Sequence, residues 1–149
     1  MEPWRITLFG ALRVQRGEQV ITRFKSQKVG GLLAYLAYYL KQAHPREVLI
    51  DIFWPESEPE AGRASLSTAL PSLRNQLEPP GTPAHAVLRA DRFSVSLNPA
   101  AITTDVWEFE AAIRAASGVG SQTERIQNLT RAVEAYQSRL LPGSYEEWI

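Results

Sequence analysis

Cysteine is absent from the 149 residues, which excludes disulfides and thiolate metal sites. No apolar run reaches the roughly 18 residues that a membrane-spanning helix needs. The opening Met1-Glu2-Pro3-Trp4-Arg5 lacks the basic-then-apolar layout of a signal peptide. The two histidines, His44 and His85, lie far apart and have no ligand cluster around them. Neither a glycine-rich phosphate loop, a Ser-His-Asp arrangement nor an HExxH helix is present. These absences predict a cytoplasmic protein that is not an enzyme, needs no cofactor or metal and has no membrane partner.

Net charge is lacking too, because 16 Lys and Arg balance 16 Asp and Glu. A nucleic-acid binder neutralises phosphates with clustered cations, so a sum of zero at first argues against one. The distribution is uneven, however. Residues 1–50 carry Arg5, Arg13, Arg16, Arg23, Lys25, Lys28, Lys41 and Arg46 against Glu2, Glu18 and Glu47. From Asp105 onward the chain is rich in acids: Glu108, Glu110, Glu124, Glu134, Glu146 and Glu147. A basic front and an acidic back cancel in the sum while leaving room for a basic face.

What remains is an ordinary globular composition, 44% hydrophobic and 21% charged. The length suits one domain, or a domain of about 100 residues followed by part of another. Trp4, Ile6 and Leu8 alternate with Arg5, Thr7 and Phe9, as in a strand. Breaks at Gly10-Ala11 and at Arg16-Gly17-Glu18 divide the start into three short strands of a meander. Val29, Leu32, Leu33, Leu36 and Leu40 then fall at helical spacing. Gly30-Gly31 inside that helix suggests a close backbone approach. A second helix is expected from about His44-Pro45 to Trp54, burying Leu49, Ile52 and Phe53 and ended by Pro55.

A third helix is expected from about Pro59 to Leu77, with Leu66, Leu70, Leu73 and Leu77 as its apolar stripe. Pro79-Pro80-Gly81 ends it. Val87 to Leu97, turning at Ala90-Asp91-Arg92, reads as a β-hairpin. Asn98-Pro99 is the expected boundary between residues 1–98 and 99–149. Beyond it Asp105 is the expected cap of an amphipathic helix carrying Val106, Phe109 and Ile113. After Ser117-Gly118-Val119-Gly120-Ser121, another helix is expected from about Thr123 to Leu140, making a helical hairpin with the one before it.

Three strands, three helices and a closing hairpin are the element order of an OmpR-type winged helix, an α+β fold. Several segments also resemble one family. Leu8-Phe9-Gly10-Ala11-Leu12-Arg13-Val14, the helix through Leu32-Leu33-Ala34-Tyr35-Leu36-Ala37, and Arg46 to Pro55 with its Trp-Pro close are similar to the SARP transcriptional activators. Arg63-Ala64-Ser65-Leu66 and Leu73-Arg74 sit as in that family's recognition helix. Asp105-Val106-Trp107-Glu108-Phe109 and Leu140-Leu141-Pro142-Gly143 resemble the start of its bacterial transcriptional activator domain, a bundle of tetratricopeptide-like helices. The resemblance implies sequence-specific binding of double-stranded promoter DNA at direct repeats, by a homodimer or tandem pair, with recruitment of RNA polymerase. Family members continue well past this length, so the sequence reads either as the front of a longer chain or as an unusually short member.

In that reading the third helix enters the major groove, and Ser67, Thr68, Ser72 and Asn75 are its base-facing candidates. Small polar residues also serve simply to solvate an exposed helix face. Arg63 and Arg74 are phosphate candidates, with ion pairs to Glu60 or Glu78 as the plainer alternative. Arg89 and Arg92 of the hairpin are candidates for a wing that enters the minor groove or holds phosphate, or are ordinary surface residues. Arg46 is a phosphate candidate at the start of the second helix, or a partner for a nearby carboxylate. Glu56 and Glu58, in the acidic loop before the third helix, are candidates for polymerase contact, with a solvated helix connector as the plainer alternative. Positions 67 and 75 are often basic in the family, and Pro71 interrupts the helix ladder. Those departures motivate an alternative, a winged helix that docks proteins rather than DNA.

Overall fold

The computed structural model describes residues 2–117. The helix expected over Thr123 to Leu140, and with it the helical hairpin and most of the expected second domain, lies outside the described residues. The fold is mixed α+β. Strands β1 (Trp4–Thr7), β2 (Arg13–Arg16) and β3 (Gln19–Ile21) form the anticipated antiparallel meander. Helices α1 (Gln27–Tyr38), α2 (Arg46–Phe53) and α3 (Pro59–Leu77) follow, with the two-residue strand β4 (His44–Pro45) ahead of α2. Strands β5 (Leu88–Ala90) and β6 (Ser94–Leu97) make the hairpin. A 3-10 turn then leads into β7 (Ile102–Thr104) and α4 (Asp105–Ser117).

Two sheets result. The first has the order β3-β2-β1-β7, and the second β4-β6-β5. Period-two burial in β1 sends Trp4 and Ile6 into the core, where they meet the buried stripe of α1 (Val29, Leu32, Leu33, Leu36). Ser26 caps α1 by accepting the N–H of Val29. A side chain on Gly30 would meet the ring of Phe24 at 3.3 Å, so the close approach expected there is present.

Helix α3 lies against this core through Leu66, Leu70, Leu73 and Leu77, all buried. The indole of Trp4 donates to the carbonyl of Leu77 at 2.9 Å, fastening the end of α3 to β1. Where α3 crosses α2, a Cβ on Gly62 would come within 2.6 Å of Ile50 Cγ2. The two helices touch backbone to side chain, and Ile50 is buried at that crossing while Ile52 is only half-buried. The expected order of burial in α2 is corrected accordingly.

Two further expectations change. His44-Pro45 is not the first turn of α2 but pairs with Ser94 and Val95 of β6, which binds the root of the helix to the hairpin. His44 is buried against Tyr35, and burial pushes its pKa down. Asp105 does not cap α4. The hydroxyl of Thr104 takes the N–H of Trp107, and Asp105 instead turns back to accept the N–H groups of Leu8 at 2.8 Å and Phe9 at 3.0 Å. Past Asn98-Pro99 the chain returns to the first sheet, where β7 pairs in parallel with β1. The basic front and acidic α4 meet there, as Arg5 holds Glu108 in a two-pronged ion pair.

Candidate nucleic-acid interface

The exposed side of α3 carries Ala64, Ser67, Thr68, Pro71 and Asn75, and Ser72 is half-buried at its margin. The four base-facing candidates therefore lie on the outer part of one helix. Thr68 already donates its hydroxyl to the Ala64 carbonyl at 3.0 Å, one turn back. Pro71 has no N–H to give to the carbonyl one turn before it, so the Ser67 carbonyl lacks its usual helix partner.

The hairpin folds toward this helix. A cleft of about 300 Å³ is lined by Arg46, Glu47, Ile50, Arg63, Leu66, Ser67, Arg92 and Phe93. It collects cations from the start of α2, from α3 and from the hairpin turn. Sequence separation between these groups is large, and the fold removes it. The turn itself is held by Asp91, whose Oδ1 accepts the N–H groups of Phe93 and Ser94, both at 2.8 Å. Those bonds hold the Asp91 carboxyl below its usual range.

Arg46 sits beside the Asp91 carboxylate at the hairpin turn. Its backbone N–H donates to the Phe93 carbonyl and its Nε to the Asp91 carbonyl, each at 2.8 Å. It ties α2 to the hairpin turn while lining the cleft. Arg63 pairs with Glu47 at 3.3 Å rather than with Glu60 or Glu78, and both side chains are well exposed. Such a pair contributes little and yields readily to a stronger anion.

Arg74 stands apart from the cleft. It pairs with Glu78 at 3.0 Å, and Glu78 is 3% exposed in its side chain. Glu78 also accepts the N–H groups of His85, Val87 and Leu88. Burial alone raises the Glu78 pKa. The three N–H groups and Arg74 outweigh that and hold it below the ordinary carboxylate value. Arg74 thus belongs to the joint between the end of α3 and the root of the hairpin. Arg89 is exposed on β5 opposite Ser96, outside the residues that line the cleft. Glu56 and Glu58 are exposed in the loop that leads into α3.

Phe93, which sequence reasoning passed over as a strand residue, is 75% exposed at the hairpin tip. The available signal was its place directly after Asp91-Arg92 in a turn. No helix among the described residues is long and apolar enough to cross a membrane. No group of three or more possible metal ligands occurs among them either.

No family model matches the sequence, and no curated protein matches it. Among solved structures, Mycobacterium tuberculosis EmbR in complex with a low-affinity phosphopeptide is similar, with a TM-score of 0.76 at 21% identity. The likeness is one of fold. It covers 96% of this chain and 38% of EmbR, so the chain spans well under half the length of that neighbour. The arrangement shared with EmbR is the mixed α+β one described above.

Proposed function

We propose that the chain binds double-stranded promoter DNA and regulates transcription, with α3 in the major groove and the β5–β6 hairpin as a wing. The observation that carries this is the cleft where Arg46, Arg63 and Arg92 converge beside the hydrogen-bonding face of α3. An α-helix fits the major groove, where each base pair presents its own donor and acceptor pattern. Cations on either side of such a helix fix its register by meeting phosphates. Ser67, Thr68, Ser72 and Asn75 supply base contacts in this arrangement, and Arg46, Arg63, Arg89 and Arg92 meet the backbone. Arg74 acts indirectly, by holding the end of α3.

The SARP resemblance supports activation as the outcome, with Glu56 and Glu58 offered to RNA polymerase ahead of α3. It also supports repeated half-sites occupied by two protomers, and a helical activator domain within residues 99–149, after β7. A second reading, a winged helix that docks a protein, is favoured by the exposed Phe93 and by Glu47, whose carboxylate lies in the cleft and repels phosphate.

Fluorescence-anisotropy titration with promoter fragments at two salt concentrations separates the two. Saturable binding that weakens with salt supports the DNA reading. No binding even at low salt transfers the function to a protein partner.

A further inference from the structure

The wing tip presents an aromatic ring to solvent on a backbone that has no freedom left to hide it. Both backbone groups of Phe93 are engaged, its N–H by Asp91 Oδ1 and its carbonyl by the N–H of Arg46, each at 2.8 Å. Asp91 also donates its own N–H to the Ser94 carbonyl at 3.0 Å, closing the turn. The ring is nonetheless 75% exposed, whereas Phe9, Phe24, Phe53 and Phe109 are buried or half-buried. A folded domain gains nothing by holding a phenylalanine in water, since burial of that side chain is favourable.

Resting on the DNA-binding reading above, we infer that Phe93 is the wing's apolar contact with the minor groove, packing on deoxyribose faces and base edges. The groove is about 6 Å wide, which admits a ring edge and excludes a whole helix. Its walls are sugars, apolar between the two lines of phosphate. Arg92, the preceding residue in the chain, and Arg46 and Arg63 in the same cleft suit those phosphates. Apolar side chains at such positions recur among minor-groove binders. Because the turn is already fixed, seating the ring orders little that was not ordered before. Phe93 acts here without charge, and that separates it from the arginines around it.

The test uses the whole chain and a short fluorescein-labelled duplex selected from a random-sequence library, titrated across about 50 to 200 mM salt. Phe93→Ala is expected to weaken binding about tenfold, equivalent to 1.4 kcal/mol, at every salt concentration and with an unchanged salt slope. Phe93→Leu is expected to recover most of that loss. Arg92→Ala is expected to flatten the slope by about 0.9, the mark of one lost phosphate contact. Hydroxyl-radical cleavage, which attacks sugars from the minor groove, is expected to show protection at the wing that Phe93→Ala removes.

Wild-type binding that Phe93→Ala leaves intact overturns the inference and assigns the ring to a protein partner, with the DNA reading still standing. A changed slope in Phe93→Ala overturns it as well, since the residue then works by displacing charge. If the wild type selects no duplex and binds none at low salt, the DNA reading and this inference fail together.

Discussion

The carboxylate of Asp105 accepts the backbone N–H of Leu8 at 2.8 Å, across 97 residues of chain. Phe9 and Val106 give their N–H groups to the same side chain, and Asp105 is 4% exposed. A buried carboxylate serving both the residues just past β1 and the start of α4 binds the last described helix to the end of the first strand.

Asp105→Ala is therefore expected to lower unfolding free energy by about 2–4 kcal/mol, because it leaves buried N–H groups without an acceptor. Asp105→Asn, which keeps one carbonyl oxygen, should cost less. Urea unfolding of the two variants checks the order. Equal stability of Asp105→Ala and wild type would show that water replaces the carboxylate.

The Glu78 carboxyl lies below its ordinary value of 4.5 in the folded chain. The unfolded chain then binds the proton more tightly, so the contribution to stability is complete above 4.5 and is lost as pH falls through the lowered value. Glu78→Gln should be about 1–3 kcal/mol less stable at neutral pH. Its melting curve should approach that of the wild type in acid. Parallel curves across the whole pH range would place the Glu78 effect elsewhere.

Gly62→Ala should lower stability by about 1–3 kcal/mol through overpacking, because the new Cβ meets Ile50 Cγ2 at 2.6 Å. Ile50→Ala removes the opposing atom. The double variant should accordingly be more stable than the sum of the single losses predicts, a coupling read from a double-mutant cycle. Additive losses would mean that the helices separate at no cost.

Asn75→Ala and Ser67→Ala should relax sequence preference more than they reduce affinity for unselected DNA, with each lost base contact worth about 1–3 kcal/mol of discrimination. Arg74→Ala, by contrast, should lower thermal stability. Binding profiles against a panel of single-base variants, beside melting temperatures, distinguish the two effects. A uniform loss of affinity for Asn75→Ala would assign that residue to the backbone.

Helix α3 is legible in the sequence at both ends, because Pro59 suits a first turn and Pro79-Pro80 cannot continue a helix. Its leucine stripe is as readable, since four leucines at helical spacing leave one arrangement that buries them all. The meander and the hairpin turn follow from period-two alternation broken by turn residues. Strand β7 is not legible: three residues carry too little alternation, and its partner Trp4–Thr7 lies at the other end of the described chain. Asp105 misleads for the same reason. Standing before an apolar helix it looks like a cap, and only the folded chain brings Leu8 within its reach. At the site, the residue types of the wing and of α3 can be named beforehand. Their convergence on one cleft, the diversion of Arg74 to Glu78 and the role of Arg46 as a tie depend on contacts between distant segments.

Because β7 completes the first sheet beside β1, the strand made earliest waits for one whose paired residues come 98 positions later. Pairing across so long a separation is slow to form. On a ribosome, the meander emerges first but cannot gain its fourth strand until Thr104 has cleared the exit tunnel. By then α2, α3 and the hairpin are already outside. The last piece of the sheet therefore arrives after the parts it steadies, and a chain that stopped at residue 98 would carry every residue lining the cleft yet lack the strand that closes its support.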